Sequence, residues 1–363
     1  MNSNLRILYT GIYLPTSARD KVYIDALKAR GHVFDECVNQ EKGLAKYWNL
    51  HRQLVQKEKE TDCIWVGYLS PAAVVVSFLS SRKKIIYNAL ASAYEAYVLD
   101  RGMYPKYSFR AFLWWTVDFL SFQLADAVLV ESQAQLEFIA RTFFAPRRKL
   151  HVVYTGVSES LFHPDATVTK KTDFTVAFRG ILIPATGIEV VLEAAKLLKD
   201  EQIHFWISGW GQLQAKVSEY ITSNSLTNVT LNTLFLEPDD LRTRMLSAHI
   251  LLGQFSSNSR LDRTIQHKTS EALALGMPYI TRDSVSNREI LRDKENVLFV
   301  TPSDPIDLKE KILLLQSDIA LRERLGAAAR VTFINKLSQV VLGEEVAKVL
   351  YTVMHHEHRK NKN

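Results

Sequence analysis

Apolar residues return along this chain in short, nearly unbroken runs, separated by longer segments where they recur every three or four positions. The first run, Leu5-Arg-Ile-Leu-Tyr-Thr-Gly11, predicts a buried strand ending in glycine. A polar loop, a helix around Lys21 to Ala29 stopped by Gly31, and a second strand from Val33 to Val38 follow. Comparable runs stand at residues 63–66, 84–87, 127–130 and 151–154, with helical patterns in most of the gaps. After Gly156 the periodicity lapses, and Leu161 to Thr172 is polar. The alternation restarts at Phe174 and continues through runs at 204–207, 229–235, 250–255, 279–280 and 297–300. A last helical pattern, Ser338 to Met354, precedes a basic, His-rich tail expected to fray. Strands apolar on both faces and alternating with helices predict an α/β protein with two Rossmann-like, doubly wound parallel-sheet domains facing across a cleft. The boundaries fall at 1–156, a linker at 157–172, a second domain at 173–336, and a terminal helix with its tail at 337–363, the helix free to cross back.

One αβ unit concentrates charge where such sheets bind ligands. In Arg263-Thr-Ile-Gln-His-Lys-Thr-Ser-Glu-Ala-Leu-Ala-Leu-Gly-Met-Pro278, a helix begins after a polar loop and ends at Gly276 and Pro278. Arg263, Lys268 and Glu271 fall near the helix start, beyond the carboxyl end of the preceding strand. Two cations and a carboxylate there suit a ligand with phosphates and sugar hydroxyls, or else cap a solvated helix.

Composition narrows the options. The 363 residues carry a net charge of +6, enough for two ordinary cores and compatible with an anionic ligand without requiring nucleic acid. No RNA-binding signature, zinc spacing or G-x-G-x-x-G fingerprint is present. Cys37 and Cys63 are isolated, which argues against a disulfide framework or metal cluster and for a reducing, cytoplasmic setting. A strand begins almost at the first residue, so no secretory signal is expected. Gly11 permits a tight turn or a close backbone approach to a ligand. The stretch from Tyr107 to Leu124 is strongly aromatic but interrupted by Arg110 and Asp118. It reads either as a helix packed in the first domain or as an interfacial helix presenting Trp114 or Trp115 to an anionic membrane, with Arg82-Lys83-Lys84 and Arg147-Arg148-Lys149 nearby.

In order along the chain, Ala125-Asp-Ala-Val-Leu-Val-Glu-Ser132, Val153-Tyr-Thr-Gly-Val157 with Phe162-His-Pro164, Phe178-Arg-Gly-Ile-Leu-Ile-Pro-Ala-Thr-Gly-Ile-Glu189, Ile207-Ser-Gly-Trp-Gly211 and the segment around Arg288-Glu289-Ile290 resemble a GT-B fold glycosyltransferase of the family 4-like kind. That family commonly carries Arg and Lys in its first donor-domain loop, where this chain has Ile181 and Thr186. It also has two glutamates eight positions apart; the second corresponds to Glu271 and the first to Arg263. The pattern Arg263-x-Ile265-x-x-Lys268-x-x-Glu271 resembles a variant subset.

The resemblance implies a retaining transfer of a sugar from a nucleotide-diphosphate sugar to a saccharide or lipid-linked acceptor, with no metal and no cofactor beyond the donor itself. The first domain would face the acceptor and the second hold the donor. The cations missing from the first loop would be replaced by Lys268, then Arg263, then Arg179. Glu271 would accept from ribose hydroxyls, Gly180, Gly209 and Gly211 would let backbone approach the nucleotide, and Glu289 would lie near base or sugar. On the acceptor side stand Asn88 and Tyr94, with Glu95 as the carboxylate that orients an acceptor hydroxyl. Two rival readings are a sugar-nucleotide epimerase and a catalytically silent subunit that holds a partner. Oligomeric state is open.

Overall fold

The computed structural model describes residues 4–12, 18–39, 41, 43 and 45–355. Most of the polar loop expected after Gly11, and the basic tail beyond His355, lie outside the described residues. The chain divides into two compact units, Met1–Gly156 with Gln339–Asn363, and Val157–Ser338.

In the first unit six parallel strands line up in the order β2-β1-β3-β4-β5-β6. They are β1 (Arg6–Gly11), β2 (Val33–Val38), β3 (Cys63–Val66), β4 (Lys84–Leu90), β5 (Ala127–Val130) and β6 (Leu150–Val152). The helices are α1 (Ala18–Lys28), α2 (Ala45–Lys57), α3 (Pro71–Ser80), α4 (Phe109–Leu124) and α5 (Gln133–Thr142). Every residue of β3 and β5 is buried, as strands covered on both faces require. One face packs Leu54, Val74, Phe122 and Ile139 over the sheet. The other packs Tyr23 and Leu27 of α1 with Leu342, Val346 and Leu350, which belong to the terminal helix (Gln339–His355). That helix is therefore part of this unit's core, whatever its place in sequence. Asn88 lies inside β4, which runs on to Leu90 and ends where Leu90 adopts a positive φ of 59°.

The second unit repeats the architecture with β7 (Phe174–Arg179), β8 (Ile203–Ser208), β9 (Val229–Asn232), β10 (Ile250–Leu252), β11 (Tyr279–Arg282) and β12 (Leu298–Val300). Its helices are α6 (Ile188–Leu197), α7 (Gln214–Ser223), α8 (Pro238–Ser247), α9 (His267–Ala274), α10 (Asn287–Ile290), α11 (Pro305–Ser317) and α12 (Ile319–Lys336). The strand order is β12-β11-β10-β7-β8-β9, so the chain's path reverses between β7 and β10. In open parallel sheets a ligand crevice forms at such a reversal, beyond the carboxyl ends of the strands. The apolar run at 229–235 is only half strand. Beyond Asn232 the chain leaves the sheet, and Leu234 and Phe235 are 73% and 72% exposed. The polar segment before β7 contains no helix or strand and is tied to this unit by Lys170, whose ammonium donates to the carbonyls of Leu246 and Ala248 at the end of α8.

Candidate donor pocket

At the reversal in the second unit, four strand ends and one helix start enclose a pocket of about 270 Å³. Arg179, Gly180 and Ile181 reach it from β7, Ser208, Gly209 and Trp210 from β8, and Leu234 and Phe235 from the loop after β9. Gln254 follows β10, and Gln266, His267 and Lys268 open α9.

The loops after β7 and β8 are locked together. The Gly180 amide donates to the Ser208 carbonyl and the Leu182 amide to the Trp210 carbonyl. A Cβ on Gly209 would stand 1.8 Å from the Gly180 carbonyl oxygen, so no side chain fits there. The Gly209 amide itself donates to the Asn232 carbonyl. These glycines thus serve close packing of one loop on the other, and the Gly180 and Gly209 amides are spent within the protein.

Beneath this double loop lies Lys268. Sequence periodicity makes α9 amphipathic, yet Lys268, Thr269, Ser270 and Glu271 are all buried, an unusual content of polar groups for an interior helix. The Lys268 ammonium, 8% exposed as a residue, lies 4.2 Å from the Phe178 ring centroid and 2.7 Å from where a Gly180 Cβ would be. It has no hydrogen-bond partner among the described residues. Burial, reinforced by the neighbouring Arg179 guanidinium and only partly offset by Glu271, pushes its pKa down to about 7. Glu271 Oε1 accepts from Arg179 Nη1 and lies 2.9 Å from His267 Nδ1. Burial favours the neutral carboxyl, but Arg179 and His267 hold Glu271 below the usual carboxylate range. Glu271 Oε2, His267 Nε2, Gln254 Oε1 and Gln266 Nε2 join Lys268 Nζ as buried atoms without a partner among the described residues. Such atoms cost free energy unless something completes them. Five around one pocket form a site for a ligand rich in acceptors and hydroxyls.

The expected site residues divide accordingly. Arg179, Gly180, Gly209 and Lys268 line the pocket, and Glu271 lies under its floor holding Arg179 and His267. Gly211 stands one residue past the lining, its would-be Cβ 2.7 Å from the Leu182 carbonyl oxygen. Arg263 caps a short helical turn, separated from α9 by residues 264–266, among which Ile265 is buried, and does not line the pocket. Glu289 lies on α10, also outside the lining.

In the first unit, Asn88, Tyr94 and Glu95 turn inward. Asn88 Oδ1 accepts from Arg19 Nε at 2.8 Å and its amide donates to Asp20 Oδ1 at 2.6 Å. Arg19 donates onward to Thr155 Oγ1 and the Val153 carbonyl, while Asp20 also accepts from Tyr9, Trp65 and the Tyr68 amide. Glu95 is fully buried and accepts from Gln135 Nε2 at 2.8 Å, and the Tyr94 ring packs edge-on against Phe143. Gly11 ends β1 with its Cβ direction 3.1 Å from Ser70 Oγ, a packing constraint.

Sequence reasoning missed His267, Gln254, Gln266, Trp210, Leu234 and Phe235. His267 alone carried a signal, since it stands four residues before Glu271 and one helical turn brings the two together.

Residues 161–332, nearly the whole second unit, match the family described as Glycosyl transferases group 1. Two uncharacterised glycosyltransferases of Methanocaldococcus jannaschii are 22% and 21% identical, covering 78% and 66% of this chain and 73% and 63% of their own. HepE of Anabaena, solved with UDP and glucose, superposes with a TM-score of 0.74 at 17% identity over 96% of this chain and 100% of its own. Sucrose-phosphate synthase of Thermosynechococcus elongatus gives 0.76 at 14% identity, covering 98% of this chain and all of that one. The fold is GT-B, with a Rossmann-like sheet in each unit.

Proposed function

We propose that this chain, whose second unit matches the group 1 glycosyl transferases, moves a hexose-type sugar from a nucleotide-diphosphate sugar to a saccharide or lipid-linked acceptor with retention of anomeric configuration. The observation that carries the reading is the Lys268 ammonium, buried without a hydrogen-bond partner among the described residues beneath the Gly180 turn at the start of α9. A diphosphate over that turn meets Lys268, Arg179 and the N-terminal amides of α9 together. His267, with Nδ1 held by Glu271, offers Nε2 to the same phosphates. The base stacks on the exposed apolar rim of Trp210, Leu234 and Phe235, and Glu271 Oε2 accepts from a ribose hydroxyl.

Breaking the bond between the anomeric carbon and the terminal phosphate oxygen leaves a new negative charge on the nucleoside diphosphate. Cations fixed at that charge are worth about 100- to 1000-fold each in rate when removed singly. The acceptor oxygen forms its bond to the anomeric carbon on the departing side, and its proton passes to the leaving phosphate oxygen. The uridine series is favoured because HepE was solved with UDP.

A thermal-shift screen of UDP, GDP, ADP and their hexose conjugates tests the reading. Stabilisation by one series, together with slow release of nucleoside diphosphate from the conjugate, is the expected result. Conversion of the conjugate without any acceptor would favour an epimerase. No shift with any nucleotide would favour a catalytically silent subunit.

A further inference from the structure

Helix α4 packs Phe122 into the core and carries a second apolar face outside it. Its buried positions include the carboxylate of Asp118 and the hydroxyl of Ser121, whereas Phe109, Phe112, Leu113 and Leu120 are exposed. With Thr116 these positions follow the i, i+3, i+4, i+7, i+11 spacing of one helix face, an apolar stripe about 16 Å long. Thr116 is no exception to its character, because the hydroxyl donates to the Phe112 carbonyl. Tyr107 extends the stripe beyond the Ser108 cap and is 95% exposed. At the other end, Gln123 of α4 donates to the carbonyl of Phe144, whose ring is 71% exposed on a backbone of φ 50°. Bulky residues adopt that conformation at a cost, here with the ring turned to solvent.

Cations border the stripe. Residues 101–117 contain Arg101, Lys106 and Arg110 and no carboxylate. Lys106 lies 5.9 Å from the Tyr107 ring centroid and Arg110 5.5 Å from that of Tyr104, so charge and aromatic are held side by side. No described helix is long and apolar enough to cross a membrane.

We propose that this face of α4 docks in the plane of an anionic lipid bilayer, with Phe109, Phe112 and Leu113 among the acyl chains and Arg101, Lys106 and Arg110 on the headgroups. A protein partner would be expected to exchange about one hydrogen bond per 100–200 Å² of contact, and from Phe109 to Leu120 the stripe has no side-chain donor left for one, Thr116 being spent on the Phe112 carbonyl. A bilayer asks for none, and rewards apolar area bordered by cations. The inference does not depend on the nucleotide pocket.

The test is co-sedimentation with phosphatidylcholine vesicles, with and without phosphatidylglycerol, at low and high salt. The wild type is expected to bind the phosphatidylglycerol vesicles at low salt. A combined Phe109→Ser, Phe112→Ser, Leu113→Ser variant should bind at least about tenfold more weakly. Combined Arg101→Glu, Lys106→Glu, Arg110→Glu should lose the salt-sensitive part. Cys37 and Cys63 are both buried, so Phe112→Cys offers a single site for an environment-sensitive dye, whose blue shift on adding vesicles reports insertion if the triple variant misfolds. Wild type left in solution at low salt, equal binding by the serine variant, or a dye blind to vesicles would overturn the proposal. So would a dimer that the serine variant dissolves in sedimentation velocity, since a second copy would then cover the face.

Discussion

The two units build nearly the same sheet edge and use it in opposite ways. In the first, Arg19, Asp20 and Asn88 gather at the carboxyl ends of β1, β3 and β4, and each is engaged by the others or by neighbouring backbone and side chains. In the second, Lys268, His267, Gln254 and Gln266 gather at the ends of β7, β8 and β10 and leave polar atoms without partners among the described residues. Buried polar residues at a strand end therefore do not mark a site by themselves. Incomplete hydrogen bonding around an open volume does.

The comparison breaks first if the closed cluster is not structural. Asp20→Ala strands the Tyr9 hydroxyl, the Trp65 indole N–H, the Tyr68 amide and the Asn88 side-chain amide, and should cost about 3–5 kcal/mol in urea unfolding while leaving nucleotide affinity of the folded protein unchanged. A loss below about 1 kcal/mol would mean that solvent or ligand serves those groups instead.

Next in size is the pH dependence of the open cluster. Lys268 is depressed to about 7, below its unfolded value, so the unfolded chain binds the extra proton between about 7 and 10 and stability of the free protein rises with pH across that window. A diphosphate bound there, as proposed, would restore the charge. Affinity for a sugar nucleotide should accordingly fall by up to about tenfold per pH unit above 7, measured by calorimetry. Lys268→Arg, charged throughout, should flatten the profile, whereas a flat wild-type profile would assign the diphosphate to other groups.

A smaller effect sharpens the floor. Glu271→Gln removes the charge that holds Arg179 and His267, and should weaken nucleotide binding about tenfold, with Arg179→Met less than additive on top of it. Smallest is the rim: Phe235→Ala should cost about 1 kcal/mol of nucleotide affinity, and none for inorganic pyrophosphate, which has no base to stack.

Much of the architecture was legible because the central strands of both sheets are buried on both faces, so most strands write a nearly continuous apolar run, the edge strands β2 and β9 least so. The pocket was less so. Lys268 and Arg179 were reachable through position near a helix start and a strand end. Leu234 and Phe235 continue an apolar run and read as strand, although the chain has already left the sheet. Gln254, Gln266 and Trp210 come together only because three separate loops converge, and nothing local encodes that. Asn88 lies within β4 and Tyr94 and Glu95 just beyond its end, where a polar side chain can turn inward or outward, and the partners of Asn88 and Glu95, Arg19 and Gln135, lie 69 and 40 residues away. Arg263 was read as part of the helix start, but it ends a separate helical turn, with residues 264–266 between it and α9, and does not reach the lining.

Lys268→Met tests the central claim most directly, because it sets stability against binding in one variant. Removing an ammonium that burial depresses from 10.5 to about 7 should raise the melting temperature of the free protein, corresponding to as much as about 4–5 kcal/mol near neutral pH, while abolishing the shift produced by saturating sugar nucleotide. A free protein no more stable than wild type, with the nucleotide shift intact, would contradict the assignment of Lys268 as the diphosphate's receptor.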